Sequence, residues 1–233
     1  HEDGGDAGAG VDGRRARAAV AAAAAAAAIA AKDADDISAD AYVVHSFDDD
    51  ATDRTVALCL WAEDFEARHR RPPTVWLNQL CADMSLTTVQ LLAHLPVYQA
   101  KCHRLLVLAG PSLPERLYAM MEAYVWFALG GQMEDVDVQI AASDARSSSR
   151  IVAGFDAFHV MHAIGTQSAV SDRIVLAVEL ATVTNFNAKV RDLLPAVHRA
   201  GVLFSARERE RTSLRAESRA SPRPGDSGLP ELP

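Results

Sequence analysis

The 233 residues carry 23 Lys and Arg against 31 Asp and Glu, for a net charge of −8, and 49% of them are hydrophobic. This length suits one domain with its own core, and the acidic balance excludes a uniformly basic nucleic-acid surface. No apolar run reaches the roughly 18 residues that a membrane span requires, so no membrane association is expected.

Residues 1–40 pass from Gly and Asp through Arg14, Arg15 and Arg17 into an alanine run. Alanine favours helix, but the run has no apolar face to dock and reads as a low-complexity segment. The three cysteines, Cys59, Cys81 and Cys102, are an odd and sparse set. They suit a reducing compartment better than a disulfide framework, so a cytoplasmic location is expected. Cys81, Cys102, His94 and His103 lack C-x-x-C or H-x-x-x-H spacing, so no metal is expected.

From residue 41 strand and helix patterns alternate. Ala41–Ser46 is a short apolar strand ending in polar residues. The Asp48-Asp49-Asp50 cluster then offers caps and negative charge for a helix start. Ala57, Leu58, Trp61, Ala62 and Phe65 keep helical spacing, which predicts an amphipathic helix over 53–68, stopped by Pro72-Pro73. Trp61, Phe65 and Trp76 are candidates for the core. A strand at Thr74–Leu77, a loop at Asn78–Ser85 and a helix within Leu86–Tyr98 follow, with Pro96 breaking the last turn.

Arg104–Ala109 reads as a central strand, apolar on both faces as parallel sheets require. Gly110-Pro111 turns the chain, and Ser112 with Glu115 predicts a capping box around Pro114. The helix behind it should end near Leu129, with Gly130-Gly131 as its stop. Asp135–Ile140 alternates as a further strand, with Val136–Ile140 expected to pair in the sheet. After a Ser147-Ser148-Ser149 patch expected to be flexible, helices are expected from Ser171-Asp172 and from Thr184-Asn185, the second burying Phe186, Val190, Leu193 and Leu194. The tail from about Ser205 is rich in Arg, Glu, Ser and Pro and reads as solvated and disordered. Short connections between strands and helices imply an α/β fold with a doubly wound, mainly parallel sheet. The domain should span 41–204.

Glu122 is the one carboxylate within the helix after Arg104–Ala109. Tyr118 and Trp126 bracket it at helical spacing, so the three form a stripe. The more apolar stripe of Leu117, Met121, Tyr124 and Ala128 is expected to face the sheet. A fixed carboxylate stabilises an oxocarbenium-like transition state, and a tyrosine stacks on an aromatic ring. The plainer alternative is an acid on an amphipathic surface. His45 and Ser46 lie at the carboxyl end of the first strand, where open α/β sheets bind ligands, or they cap the strand end. Helix capping is the better reading of Asp48, Asp49 and Asp50. Gly110-Pro111 lacks the rest of a phosphate-loop pattern, and His159 and His162 read as structural.

Four segments together resemble one family. Asp40-Ala41-Tyr42-Val43-Val44-His45-Ser46, followed by acids and a helix, resembles the first box of Toll/interleukin-1 receptor (TIR) domains. Val75-Trp76-Leu77-Asn78-Gln79-Leu80-Cys81-Ala82-Asp83 looks like the second strand and loop of a divergent subgroup seen in algae and other microbial eukaryotes. Arg104 to Gly131 resembles the third strand and its Glu-bearing helix. Asp172-Arg173, Leu176 to Glu179, Phe186-Asn187 and Val190-Arg191 resemble its C-terminal helices. The likeness covers roughly residues 40–204, in order.

This resemblance implies a flavodoxin-like fold and a signalling or protein-interaction role through self-association, with other TIR-like domains as partners. It also implies cleavage of nicotinamide from NAD, with NAD a substrate and not a resident cofactor. Glu122 is then the catalytic residue, and Tyr118, His45, Ser46 and Asn78 the nucleotide-binding ones. The sequence departs from the pattern where Tyr118 replaces the usual Trp, Asn78 the usual Asp and Met84 the usual Gln. The alternatives are an inactive scaffold, or a flavodoxin-like domain that binds another nucleotide-type ligand.

Overall fold

A computed structural model describes residues 38–82, 85–163 and 183–220. Four strands, β1 (Ala39–Val44), β2 (Val75–Trp76), β3 (Cys102–Ala109) and β4 (Val136–Ile140), form one sheet in the order β2-β1-β3-β4. Every pairing is parallel, with Tyr42 opposite Trp76 and Leu105, and Leu105 opposite Val136. The helices are α1 (Ala51–His69), α2 (Asn78–Cys81), α3 (Thr88–Gln99), α4 (Leu117–Ala128), α5 (Ala145–Asp156), α6 (Val183–Arg191) and α7 (Leu194–Ala220). This is the expected flavodoxin-like α/β architecture, and the strand order reverses direction between β1 and β3.

The two faces of the sheet are unequal. Ala41, Val43, Leu106 and Leu108 turn toward Ala57, Trp61 and Phe65 of α1. Tyr42, Val44, Leu105, Val107 and Ile140 turn the other way, into a larger core with Leu95 of α3, most of α4, and Ile151, Phe186 and Val197 of α5, α6 and α7. All six residues of β1 are buried, as a central parallel strand requires. Each fully buried Leu, Val or Phe contributes roughly 1.5–3 kcal/mol, so this larger core supplies most of the hydrophobic stabilisation.

Local chemistry sets the helix ends. Asp50 Oδ1 accepts from the Thr52 and Asp53 amides at 2.8 and 3.0 Å, so α1 starts at the acid cluster by capping. It stops at Arg70, which is left-handed at φ 60, ahead of Pro72-Pro73. Thr87 and Gln90 close a reciprocal capping box on α3. That helix runs through Pro96 to Gln99: a proline near the end of a helix removes one amide bond without stopping the remaining turn.

Four expectations are corrected. The Ser112–Glu115 capping box does not form: Leu113–Glu115 is a short 3-10 turn, and α4 starts at Leu117 after Arg116 without a side-chain cap. Leu113 and Pro114 are buried instead, and burial of that turn fixes where the chain enters α4. The 78–85 loop begins with the four-residue helix α2. Ser147, Ser148 and Ser149 lie inside α5, whose first turn is capped by Asp144 accepting from the Ser147 amide at 2.9 Å. The segment 205–220, expected as a disordered tail, continues α7. A docked helix extends without a new nucleation cost, and Arg, Glu and Ala favour its extension. Its described residues beyond 205 are exposed or half-buried. Phe186, Val190 and Leu193 are buried as expected, with Phe186 stacked on Tyr124 at 4.7 Å. The helix expected at Ser171-Asp172 lies outside the described residues.

Candidate functional site

The helix that carries Glu122 is buried on nearly every side. Leu117, Ala119, Met120, Glu122, Ala123, Tyr124, Val125, Trp126 and Phe127 are all shielded from solvent. The expected division into a sheet-facing stripe and a Tyr118–Glu122–Trp126 stripe is therefore corrected: Met121 and Ala128 are only half-buried, whereas Glu122 is 5% exposed. A helix packed against the sheet, α3 and α6 has little solvent face to give its acid. Trp126 turns away from the acid to the end of α4, where its indole packs against Gly131, a position with no room for a Cβ.

Three elements converge on Glu122. Tyr42 points inward from β1 and donates its hydroxyl to Glu122 Oε1 at 2.7 Å. Asn78 opens α2 directly after β2 and donates Nδ2 to the same oxygen at 2.7 Å and to the Tyr42 hydroxyl at 2.6 Å. The Asn78 Oδ1 in turn accepts from the Trp76 indole at 3.1 Å. Behind them, Gln99 of α3 donates Nε2 to the Glu122 carbonyl at 2.8 Å. Tyr118, one turn before Glu122, is half-buried and in hydrogen-bonding reach of Asn78. Glu122, Asn78 and Tyr118, three of the five expected site residues, are thus brought together.

Among the described residues no cation balances this carboxyl. Burial pushes Glu122 up to about 8, against the opposing pull of the Tyr42 and Asn78 hydrogen bonds. Near neutral pH it is mostly a neutral acid, and it becomes a carboxylate under mildly alkaline conditions. Burial, and then the neighbouring Glu122, hold the Tyr42 phenol well above the ordinary tyrosine range, and the same two influences raise Tyr118. The group is a titratable carboxyl buried among neutral donors, an arrangement suited to proton exchange or to stabilising a cation.

His45 and Ser46 belong to a second cluster, at the carboxyl ends of β1 and β3. Ser46 is buried; its Oγ accepts from the Asp48 amide at 3.2 Å and from the Ser112 hydroxyl at 2.7 Å. Asp49 Oδ1 accepts from the Ser112 amide at 2.8 Å, tying the two strand-end loops together. A Cβ at Gly110 would run into the Asp49 carboxylate, which the Ser112 amide holds in place. The half-buried His45 is 2.9 Å from an Arg54 guanidinium nitrogen, and the Phe47 ring stands 5.1 Å from the imidazole. Phe47 itself is 63% exposed. This cluster sits where the strand order reverses, the crevice in which open α/β sheets take ligands.

Two of the four residues considered for zinc are engaged elsewhere. His103 pairs with Ser38 Oγ and His94 with the Gln90 carbonyl. Among the described residues no group of three or more His, Cys, Asp or Glu side chains is placed to hold a metal ion. No helix among them is long and apolar enough to cross a membrane.

Tyr42 and Gln99 are the site residues that sequence reasoning did not single out. A tyrosine in the middle of a strand buried on both faces carries a hydroxyl that must find a partner, and that signal was available for Tyr42. Gln99 gives none, because a polar residue at a helix end ordinarily faces water.

Comparison with protein-family models, with curated proteins and with solved structures gives no match. The likeness to TIR domains rests on the sequence segments named above.

Proposed function

We propose that this chain is a TIR-type signalling and protein-interaction domain with an NAD-cleaving site at Glu122. The observation that carries the reading is the buried carboxyl itself: Glu122 is 5% exposed, faces no cation among the described residues and is held by two neutral donors. Breaking the nicotinamide–ribose bond builds positive charge on the ribose, and a buried carboxylate stabilises that charge far more than one in water does. Nicotinamide leaves, water adds to the ribosyl carbon and releases a proton, and ADP-ribose remains. Tyr118 beside the acid stacks on the departing ring. His45 and Ser46, with Asp49 and Arg54, hold the rest of the nucleotide at the strand ends.

The test is to incubate the purified chain with NAD and follow nicotinamide release from the parent and from Glu122→Gln. Activity in the parent that is lost in the variant supports the reading, and equal rates in both refute it. Because Glu122 ionises near 8, the rate should climb as the pH rises from 6 toward 8.5 or so. A profile that falls over this range counts against a working carboxylate.

A second reading, a self-associating scaffold, is favoured by Leu80. It is 81% exposed on α2, the element that also supplies Asn78. In that case Glu122 ties α4 to β1 and α2 and does no chemistry. Light scattering over a wide concentration range decides it: self-association that Leu80→Asp abolishes, without nicotinamide release in the parent, favours the scaffold.

A further inference from the structure

Among the described residues the Glu122 carboxyl is held by one oxygen. Oε1 accepts from both Tyr42 and Asn78, each at 2.7 Å, and no described donor reaches Oε2. The direction of donation follows from the partners. An indole N–H only donates, so the Asn78 oxygen must face Trp76 and its amide nitrogen must face Glu122 and Tyr42. The Tyr42 oxygen already accepts from that nitrogen, so its own proton goes to Oε1. Three groups from β1, α2 and α4 thus form a closed triangle with one fixed sense, and it leaves the second carboxyl oxygen unclaimed.

We propose that Tyr42 and Asn78 are positioning residues, which anchor Oε1 of Glu122 and leave Oε2 as the oxygen that meets a proton or a cationic ligand. This rests on the reading of Glu122 as the NAD-cleaving acid, with the ribosyl cation as the ligand. An unanchored carboxyl turns about its last bond and spreads its charge over many orientations. Anchoring by one oxygen fixes the other in place before the charge develops, so less reorganisation is needed in the transition state. Two donors on Oε1 also favour the ionised form, against the burial that opposes it.

The described groups facing this carboxyl are neutral. β1 supplies Tyr42, α2 supplies Asn78 and α4 supplies Tyr118. Cys102 of β3 and Tyr98 of α3 stand one step further out, beside Tyr42 and Tyr118 respectively. No described Lys, Arg or His acts on Glu122. Its titration therefore reports the two donors directly.

The test is a carbon-13 NMR titration of the Glu122 carboxyl in the full chain, for the parent, Tyr42→Phe and Asn78→Ala, with a melting curve for each. Phenylalanine keeps the buried ring, and Asn78→Ala examines the second donor should the first variant melt early. Losing one donor should raise the Glu122 midpoint by about one pH unit, the size expected of a hydrogen bond to a charged group. The alkaline rise in nicotinamide release should move up by the same amount. At saturating pH kcat should fall roughly tenfold, with KM nearly unchanged. A purely structural role would lower the melting temperature and leave the midpoint where it was. An unmoved midpoint in both variants overturns the proposal. Should the parent release no nicotinamide, the NAD reading fails, and the carboxyl titration still decides whether Tyr42 and Asn78 govern Glu122.

Discussion

Asp40 and Glu122 are both buried carboxyl groups bound to β1 or its neighbours, and the protein treats them in opposite ways. Asp40 accepts both terminal nitrogens of Arg71 at 2.6 and 2.7 Å, and the Thr74 amide at 2.8 Å. The guanidinium bonds hold it well below the usual carboxylate range despite its burial. Glu122 has only neutral donors, and burial pushes it up to about 8. A bidentate Arg marks a carboxylate kept permanently charged to fix a chain crossing, here the join of α1 to β2 against the start of β1. A carboxyl left without a cation in the interior is costly to ionise. The difference separates an acid that holds structure from one whose charge can be switched.

The largest expected effect tests the chemical half of this contrast. Glu122→Gln should lower kcat for nicotinamide release by about 10²–10³-fold, the loss typical when one electrostatic stabiliser is removed from a dry site. The amide keeps an oxygen to accept from Tyr42 and Asn78, so the fold should survive. The corresponding change at Asp40, to Asn, should leave the chemistry largely alone and lower the melting temperature. A variant pair in which Asp40→Asn removes activity and Glu122→Gln does not would invert the comparison.

Next in size is the pH dependence of stability, where the two acids have opposite signs. Glu122 binds its proton more tightly folded than unfolded, so stability is complete below about pH 4.5 and declines as pH rises toward about 8. Asp40 binds its proton more weakly when folded, so its contribution is present above pH 3.8 and is lost as pH falls further. Denaturant melts between pH 3 and 9 should show both limbs. Glu122→Gln should flatten the alkaline decline by on the order of 2–4 kcal/mol, leaving the acid limb in place. Asp40→Asn should do the reverse and, by removing charge-assisted bonds, cost about 1–3 kcal/mol at neutral pH. If Glu122→Gln leaves the alkaline side unchanged, the carboxyl is already ionised in the folded chain and the contrast collapses.

The sheet was legible from β1 and β3, whose continuous apolar runs bounded by turn residues have few other uses, and from β4, whose apolar and polar residues alternate. α1 was legible from its spacing and its acid cap. What misled was the entry to α4. Ser112 and Glu115 have the chemistry of a capping box, but burial of Leu113 and Pro114 determines the turn, and the Ser112 hydroxyl goes to Ser46. Glu122, Tyr118 and Asn78 could be named from pattern and likeness. Their burial could not: the helical stripe argument assumes a helix with a wet face, and α4 has almost none. Asn78 meeting Glu122 depends on where β2 ends relative to α4, a relation across 44 positions that no local spacing encodes.

The smallest expected effect concerns the strand-end cluster, whose buried Ser46 bonds to donors that lie nearer solvent than Tyr42 and Asn78. Ser46→Ala removes the acceptor for the Asp48 amide at 3.2 Å and for the Ser112 hydroxyl at 2.7 Å. Although Ser46 is buried, Asp48 is exposed and Ser112 is half-buried, so both released donors can turn to water. The loss should then be that of ordinary hydrogen bonds, about 0.5–1.5 kcal/mol, and not that of orphaned buried groups. Equilibrium unfolding in urea with an unchanged m-value would measure it. A loss above about 3 kcal/mol would mean that the cluster is sealed as tightly as Glu122. His45 and Ser46 would then be part of the interior, with no open crevice at the ends of β1 and β3 to receive a nucleotide.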